Sequence, residues 1–190
     1  SFIGALINTG PTMQIRDARG RVQSLGDDNP DQSYKGPVAV MINRLTASGA
    51  EIAAAALQDY GRALIIGSTS YGNGSIQSIR NVGAGSLKIT EAKFYRISGA
   101  STQIKGVKPD VLLPDLYDPQ QIGESALDGY LPWDTIQPAI YTRLNPMKVS
   151  LSQLATASKK RLQTNKQKIT EDVLMVEAIE VFLDSIDQNK

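Results

Sequence analysis

Apolar and polar positions change rhythm several times along this chain. Val38-Ala-Val-Met-Ile42 and Ala63-Leu-Ile-Ile-Gly67 are short, nearly unbroken apolar runs rich in β-formers, the pattern of strands covered on both faces in a parallel sheet. Between them, Thr46 to Gly61 carries a run of alanines with high helix propensity. Ile52, Ala56 and Tyr60 fall on one stripe, with Ala53 and Leu57 beside it. Gly61 is placed to stop the helix in the left-handed conformation. Strand, helix and strand within about thirty residues is the size of a βαβ crossover. The flanking pattern predicts shorter pieces. Ile3 to Ile7 and Met13 to Ile15 read as short strands, Gly26 to Lys35 as an exposed loop, and Ser68 to Gly74 as a Gly- and Ser-rich loop. Residues 86 to 97 alternate as a hairpin pair through Leu87, Ile89, Phe94, Tyr95 and Ile97. Val107 to Leu113 is a last short strand, and Pro109 and Pro114 place it at a sheet edge.

After about residue 118 the character changes. Leu131-Pro-Trp-Asp-Thr-Ile136 reads as a docked irregular segment. Residues 150 to 164 and 170 to 187 read as polar helices, the second with Val173, Val176, Ile179, Val181 and Phe182 on one broad face. The expected division is 1–118 and 119–190. The 190 residues carry a formal net charge of +1, with 41% hydrophobic and 21% charged residues, so the balance points to neither nucleic acid nor an anionic membrane as partner. No apolar run approaches the ~20 residues of a membrane-spanning helix. The opening Ser-Phe-Ile-Gly-Ala-Leu-Ile has no basic stretch before it and predicts a fragment or a mature product.

The chain contains no histidine and no cysteine. That excludes the Ser-His-Asp triad, Cys-His nucleophiles, thiol redox chemistry and zinc sites built on His or Cys. Nucleophilic catalysis would need a Ser or Thr hydroxyl served by Lys, Asp, Glu, Tyr or an N-terminal amine. Ser48 sits at the strand-to-helix turn, beside unpaired N–H groups that favour developing negative charge. The local sequence equally reads Ser48-Gly-Ala-Glu51 as a capping box, and taken alone favours that structural role. Gly72-Asn73-Gly74 is a tight turn able to push Asn73 into a site, and also a common turn sequence. Gln77 is placed to orient a polar group there, or is a plain strand residue. Glu51, Asp59 and Arg62 read as charges on a solvated helix face, and Lys88, Lys93, Lys105 and Lys108 as scattered exposed lysines. Asp27, Asp28 and Asp31 lack EF-hand spacing and read as a solvated loop.

The combination is more specific than its parts. Lys35-Gly-Pro-Val-Ala-Val-Met-Ile-Asn-Arg-Leu-Thr-Ala-Ser-Gly-Ala-Glu-Ile52 followed by Ala-Leu-Gln-Asp-Tyr-Gly-Arg-Ala-Leu-Ile-Ile-Gly67 resembles the core of the tail-specific, or carboxy-terminal processing, peptidases. Lys93-Phe-Tyr-Arg-Ile-Ser-Gly-Ala-Ser-Thr-Gln-Ile-Lys-Gly-Val-Lys-Pro-Asp110 and Leu131-Pro-Trp-Asp-Thr-Ile136 extend the likeness to roughly residues 1–142. The resemblance implies an α/β, crotonase-like layered protease domain, present in its C-terminal portion and followed by a helical extension. It implies Ser48 as nucleophile, Gly49 N–H as oxyanion donor and Gln77 as assisting residue, with no metal or organic cofactor. It places the family's lysine base at Asn73, 25 residues after Ser48, in Tyr71-Gly-Asn-Gly74.

A neutral amide has no useful basicity, so Asn73 cannot take the Ser48 proton. The expectation is therefore a serine endopeptidase of proteins with apolar, unstructured C-terminal tails, in a chain without competent dyad chemistry. Its rivals are a pseudo-protease that binds such tails, and an enzyme drawing its base from Lys88 or Lys93. The resemblance also implies a periplasmic location, self-association or an adaptor protein as partner, and an upstream PDZ module with a Gly-Gly segment supplying a second oxyanion N–H.

Overall fold

The computed structural model describes residues 2–29, 33–144, 149–165 and 168–188. Gly10–Asp17 (β1) and Val22–Asp27 (β2) form an antiparallel hairpin. Ala39–Ile42 (β3), the helix Gly49–Asp59 (α1) and Leu64–Gly67 (β4) follow as the expected crossover, β3 and β4 pairing in parallel. Ser75–Val82 (β5) and Gly85–Tyr95 (β6) form a long hairpin, and Val111–Leu112 (β7) a short strand. The tail carries the helices Leu151–Thr164 (α2) and Glu171–Gln188 (α3). One sheet runs β2-β1-β6-β5 and the other β3-β4-β7, with β7 at the predicted edge.

The parallel sheet is covered on both faces, which is why β4 lacks polar residues. Ile65 faces one core with Ala54, Ala55, Leu57, Ile97 and Val107. Leu64 and Ile66 face another with Val111, Leu113, Leu154, Ala178 and Val181. Helix α1 thus lies on one side and α2 with α3 on the other, so the tail docks on the domain's own sheet. Arg161 of α2 joins the tail helices through Glu177 and Asp184 of α3, both at 2.8 Å.

Five expectations need correction. Ile3 to Ile7 is a helical turn, Leu6 and Ile7 N–H both donating to Ile3 O; a short apolar run does not by itself distinguish strand from buried turn. Residues 86–97 are mostly one strand, and the hairpin turns earlier, at Gly83 with φ +57°. The stretch 107–113 pairs only over Val111–Leu112, after Pro109. On α3, Val176 and Ile179 are exposed, and the buried face is Glu177, Ala178, Val181 and Ser185. In the loop expected from Gly26, Gly26 and Asp27 end β2, and Asp31 lies outside the described residues. The segment around Trp133 docks as expected, its Nε1–H donating to Ser101 O at 2.9 Å.

Candidate active site

Strands β3 and β4 end side by side, Ile42 opposite Gly67, and each feeds a loop. The loop after β3 turns on Asn43, whose Oδ1 accepts from Leu45 N–H and whose carbonyl accepts from Thr46 N–H, each at 2.9 Å. It ends at Ser48, the N-cap of α1, with φ 53° and ψ −118°. A non-glycine residue held there stores roughly 1–3 kcal/mol of strain. Ser48 is exposed. Gly49 opens the helix, where an N–H has no intrahelical acceptor, and a Cβ on Gly49 would meet nothing within 4 Å. The loop after β4 lies alongside, Tyr71 N–H donating to Thr46 O at 2.9 Å.

Glu51 joins the two loops. It is fully buried, not solvated as its place on a helix suggested. Its Oε2 accepts from Ser48 N–H at 3.0 Å and from Asn73 N–H at 2.9 Å. Its Oε1 accepts from Ser70 Oγ–H at 2.5 Å and Gly72 N–H at 2.8 Å. One carboxylate therefore fixes both Ser48 and Asn73 through their backbones, and two residues 25 apart in sequence become neighbours. Burial pushes the Glu51 carboxyl above its ordinary 4.5, against the pull of these four donors. Protons then bind the folded chain more tightly than the unfolded one. Glu51's contribution to stability should fall as pH rises from 4.5 through the raised folded value, and stay level above it. Denaturant unfolding across that window, compared with Glu51→Gln, checks this; a difference that grows with pH would contradict it.

Asp59 and Arg62 are likewise structural. Asp59 pairs with Arg96 at 2.5 Å and accepts from Ser98 Oγ–H at 3.0 Å. Arg62 donates to Leu6 O at 2.6 Å and Tyr34 O at 2.7 Å. A helix carrying alanines on every side has no polar face to offer solvent, and this signal could have flagged its charges as buried.

The stretch 101–107 forms a cradle under the Asn73 loop. Ile104 N–H donates to Gly72 O at 2.8 Å, Thr102 Oγ–H to Asn73 O at 3.2 Å, and Val107 N–H to Ser70 Oγ at 2.6 Å. Ile104 takes φ 66°, an uncommon state for a β-branched residue. Gln103, fully buried, accepts Gly74 N–H at 2.8 Å and donates to Glu124 at 2.9 Å. Glu124 in turn faces the Asn73 side chain, Nδ2 to Oε2 at 3.4 Å. Gln103 and Glu124 were not singled out in the sequence, because nothing local marks a contact spanning 21 to 51 residues.

Gln77 is not drawn to this cluster. It is exposed on β5 and donates to Thr90 Oγ1 at 3.1 Å. Lys88 is exposed on β6. Lys93 is mostly buried, not free at the surface: its ammonium bonds Asp134 at 2.5 Å and Pro132 O at 2.7 Å. Burial raises the Asp134 carboxyl, but hydrogen bonds from Lys93 and Arg16 outweigh it and leave the group below 3.8. Burial and Asp134 push the neighbouring Tyr95 phenol up to about 12. Among the described residues no acidic cluster is built to hold a metal.

A family model for peptidase family S41 matches residues 1–113, more than half of the chain. The chain belongs to this family. A second model, the C-terminal domain of tail-specific protease, matches residues 117–180. The tail-specific protease of Haemophilus influenzae is 44% identical over 147 residues, covering 73% of this chain and 21% of that protein. The carboxy-terminal-processing protease of Bartonella bacilliformis is 39% identical over 146 residues, covering 69% and 32%. The chain thus spans about a fifth to a third of the length of these relatives. Among solved structures, a photosystem II D1 C-terminal processing protease superposes with a TM-score of 0.55 at 32% identity, covering 63% of this chain and 30% of that one. The structure is mixed α/β with a helical C-terminal part, and over the superposed portion its fold is that of this C-terminal processing protease.

Proposed function

We propose that this chain is the nucleophile-bearing part of a serine endopeptidase that acts on proteins with apolar, unstructured C-terminal tails, and that Asn73 leaves it without a base. The observation that carries this reading is Glu51 Oε2, which accepts from both Ser48 N–H and Asn73 N–H. Through it, a strained, exposed serine and the backbone of residue 73 share one buried carboxylate, which supports reading the two as one site. With a base in place, Ser48 Oγ would attack the peptide carbonyl as its proton passes to that base, and Gly49 N–H would stabilise the oxyanion. Gln77 assists only after leaving Thr90, so its role is the weakest of the three. A lysine at position 73 would remove the serine proton if its amine were neutral. Asn73 offers an amide that stays neutral and does not accept a proton at working pH.

The same asparagine supports a second reading, a protein that holds tails without cutting them. Relatives named as chloroplastic show that the family is not tied to one compartment; for this chain the proposal is the periplasm.

The test is cleavage of a denatured protein with an apolar C-terminal tail by the full-length polypeptide in three forms. The form with Asn73 should not cleave. Asn73→Lys should gain about 10²- to 10⁴-fold, the usual contribution of a positioned base. Adding Ser48→Ala should abolish that gain. Ser48-dependent cleavage by the Asn73 form at enzymatic rates would overturn the missing-base reading. No gain from Asn73→Lys would leave tail binding without cutting as the function.

A further inference from the structure

Two buried carboxylates flank Asn73, and neither is served by an ion pair among the described residues. Glu51 is saturated by three backbone N–H groups and the Ser70 hydroxyl. Glu124, 6% exposed, is not. Its Oε1 takes the Gln103 amide at 2.9 Å, while among the described residues its Oε2 meets the Asn73 amide alone, at 3.4 Å. That contact is longer than the usual N–H···O range. A buried carboxylate oxygen whose contact is a long one to a neutral amide is poorly matched to that partner.

The rest of Glu124 is held firmly. Its backbone N–H donates to Tyr71 O at 3.0 Å. Gln103, which donates to it, also fixes Gly74 N–H. The loop is therefore tied to Glu124 on both sides of Asn73, at Tyr71 directly and at Gly74 through one glutamine. Glu124 lies outside the stretch matched as peptidase family S41 and inside the one matched as the C-terminal domain of tail-specific protease. Among the described residues, charged groups near this loop include Glu51 of α1 and Arg44, which donates to Ser70 O at 3.1 Å and lies 3.7 Å from Asp115.

We propose that Glu124 is the positioning residue for the side chain at 73, supplied by the C-terminal domain, and that its matched partner is a lysine ammonium instead of an amide. This rests on the protease reading above. A carboxylate in contact with an amine favours the charged form and raises its pKa. Glu124 therefore sets the pH at which an introduced lysine becomes a base, and it holds the amine in place while charged.

The experiment compares Asn73→Lys with Asn73→Lys/Glu124→Gln in the full-length polypeptide, reading kcat/KM against pH. Glutamine keeps the shape and removes the charge. The acidic limb should move down by about one to three pH units in the double variant. A purely structural role would lower the rate without moving the limb. Denaturant unfolding of all four combinations at neutral pH gives a second readout, independent of activity. Glu124→Gln should lower the unfolding midpoint more in the Asn73→Lys background than beside Asn73. An unmoved limb with equal effects in both backgrounds overturns the assignment and leaves the protease reading intact. If Asn73→Lys is inactive, the protease reading fails and the unfolding comparison alone decides: unequal effects support Glu124 as the partner, equal effects overturn it.

Discussion

Glu51→Ala should lower stability at pH 7 by about 3–5 kcal/mol, on the order of 10 °C in the unfolding midpoint. The change strands Ser48, Gly72 and Asn73 N–H, and the Ser70 hydroxyl loses its acceptor. Each buried donor left unpaired costs about 1–3 kcal/mol, offset in part because the carboxylate no longer has to be desolvated. Glu51→Gln should be nearly as damaging despite its shape. One of its two terminal atoms becomes an NH₂ group facing two donors, so either the Ser48–Asn73 pair or the Ser70–Gly72 pair loses its acceptor. Glu91→Gln is the control: Glu91 pairs with Arg80 on the exposed hairpin, and its replacement should leave the midpoint nearly unchanged. Thermal unfolding of the three variants decides the matter. A Glu51→Ala midpoint equal to that of the unmodified chain would show that the two loops hold their places without the carboxylate. The consequence for the site is direct, since the same bonds align Ser48 with position 73.

Glu51 also shows what sequence reading reaches. The β3–α1–β4 unit was legible because two apolar runs with no polar interruption have few ways to be buried, and an alanine-rich segment between them fits a crossover. Ser48 was legible as a cap, since Ser and Glu three apart is a local pattern. That Glu51 serves four donors was not, because three of them lie 19 to 22 residues away on the loop after β4. Gln77 and Gln103 make the same point in reverse. Gln77 was singled out by its spacing from Asn73, yet the β5–β6 register turns its side chain to Thr90. Gln103 lies between the two segments read as strands, and the cradle at 101–107 carries its amide to Gly74. Burial of charge depends on what is folded over it, and composition along the chain does not record that.

Gly67→Ala should be the most damaging change outside the cluster, at about 3 kcal/mol or more, with tail cleavage in the Asn73→Lys background lost alongside. Gly67 adopts φ +129°, a region closed to residues with a Cβ. An added Cβ would stand 1.9 Å from Ile42 O. That oxygen is fixed, because it accepts Ser68 N–H at 3.0 Å at the end of the β3–β4 ladder. Relief therefore requires the two strand ends to separate. They are the roots of the two loops, one leading to Ser48 and the other to Asn73. Separation stretches the bridge from Tyr71 N–H to Thr46 O and the shared contacts on Glu51. Stability and site alignment should thus fall together. Gly49→Ala provides the contrast on the same helix and loop, since an added Cβ there meets nothing within 4 Å, and the fold should accept it. Unfolding midpoints of the two variants, measured in parallel, separate the cases. If Gly67→Ala unfolds no earlier than Gly49→Ala, the strand ends are not the rigid base on which the two loops are set.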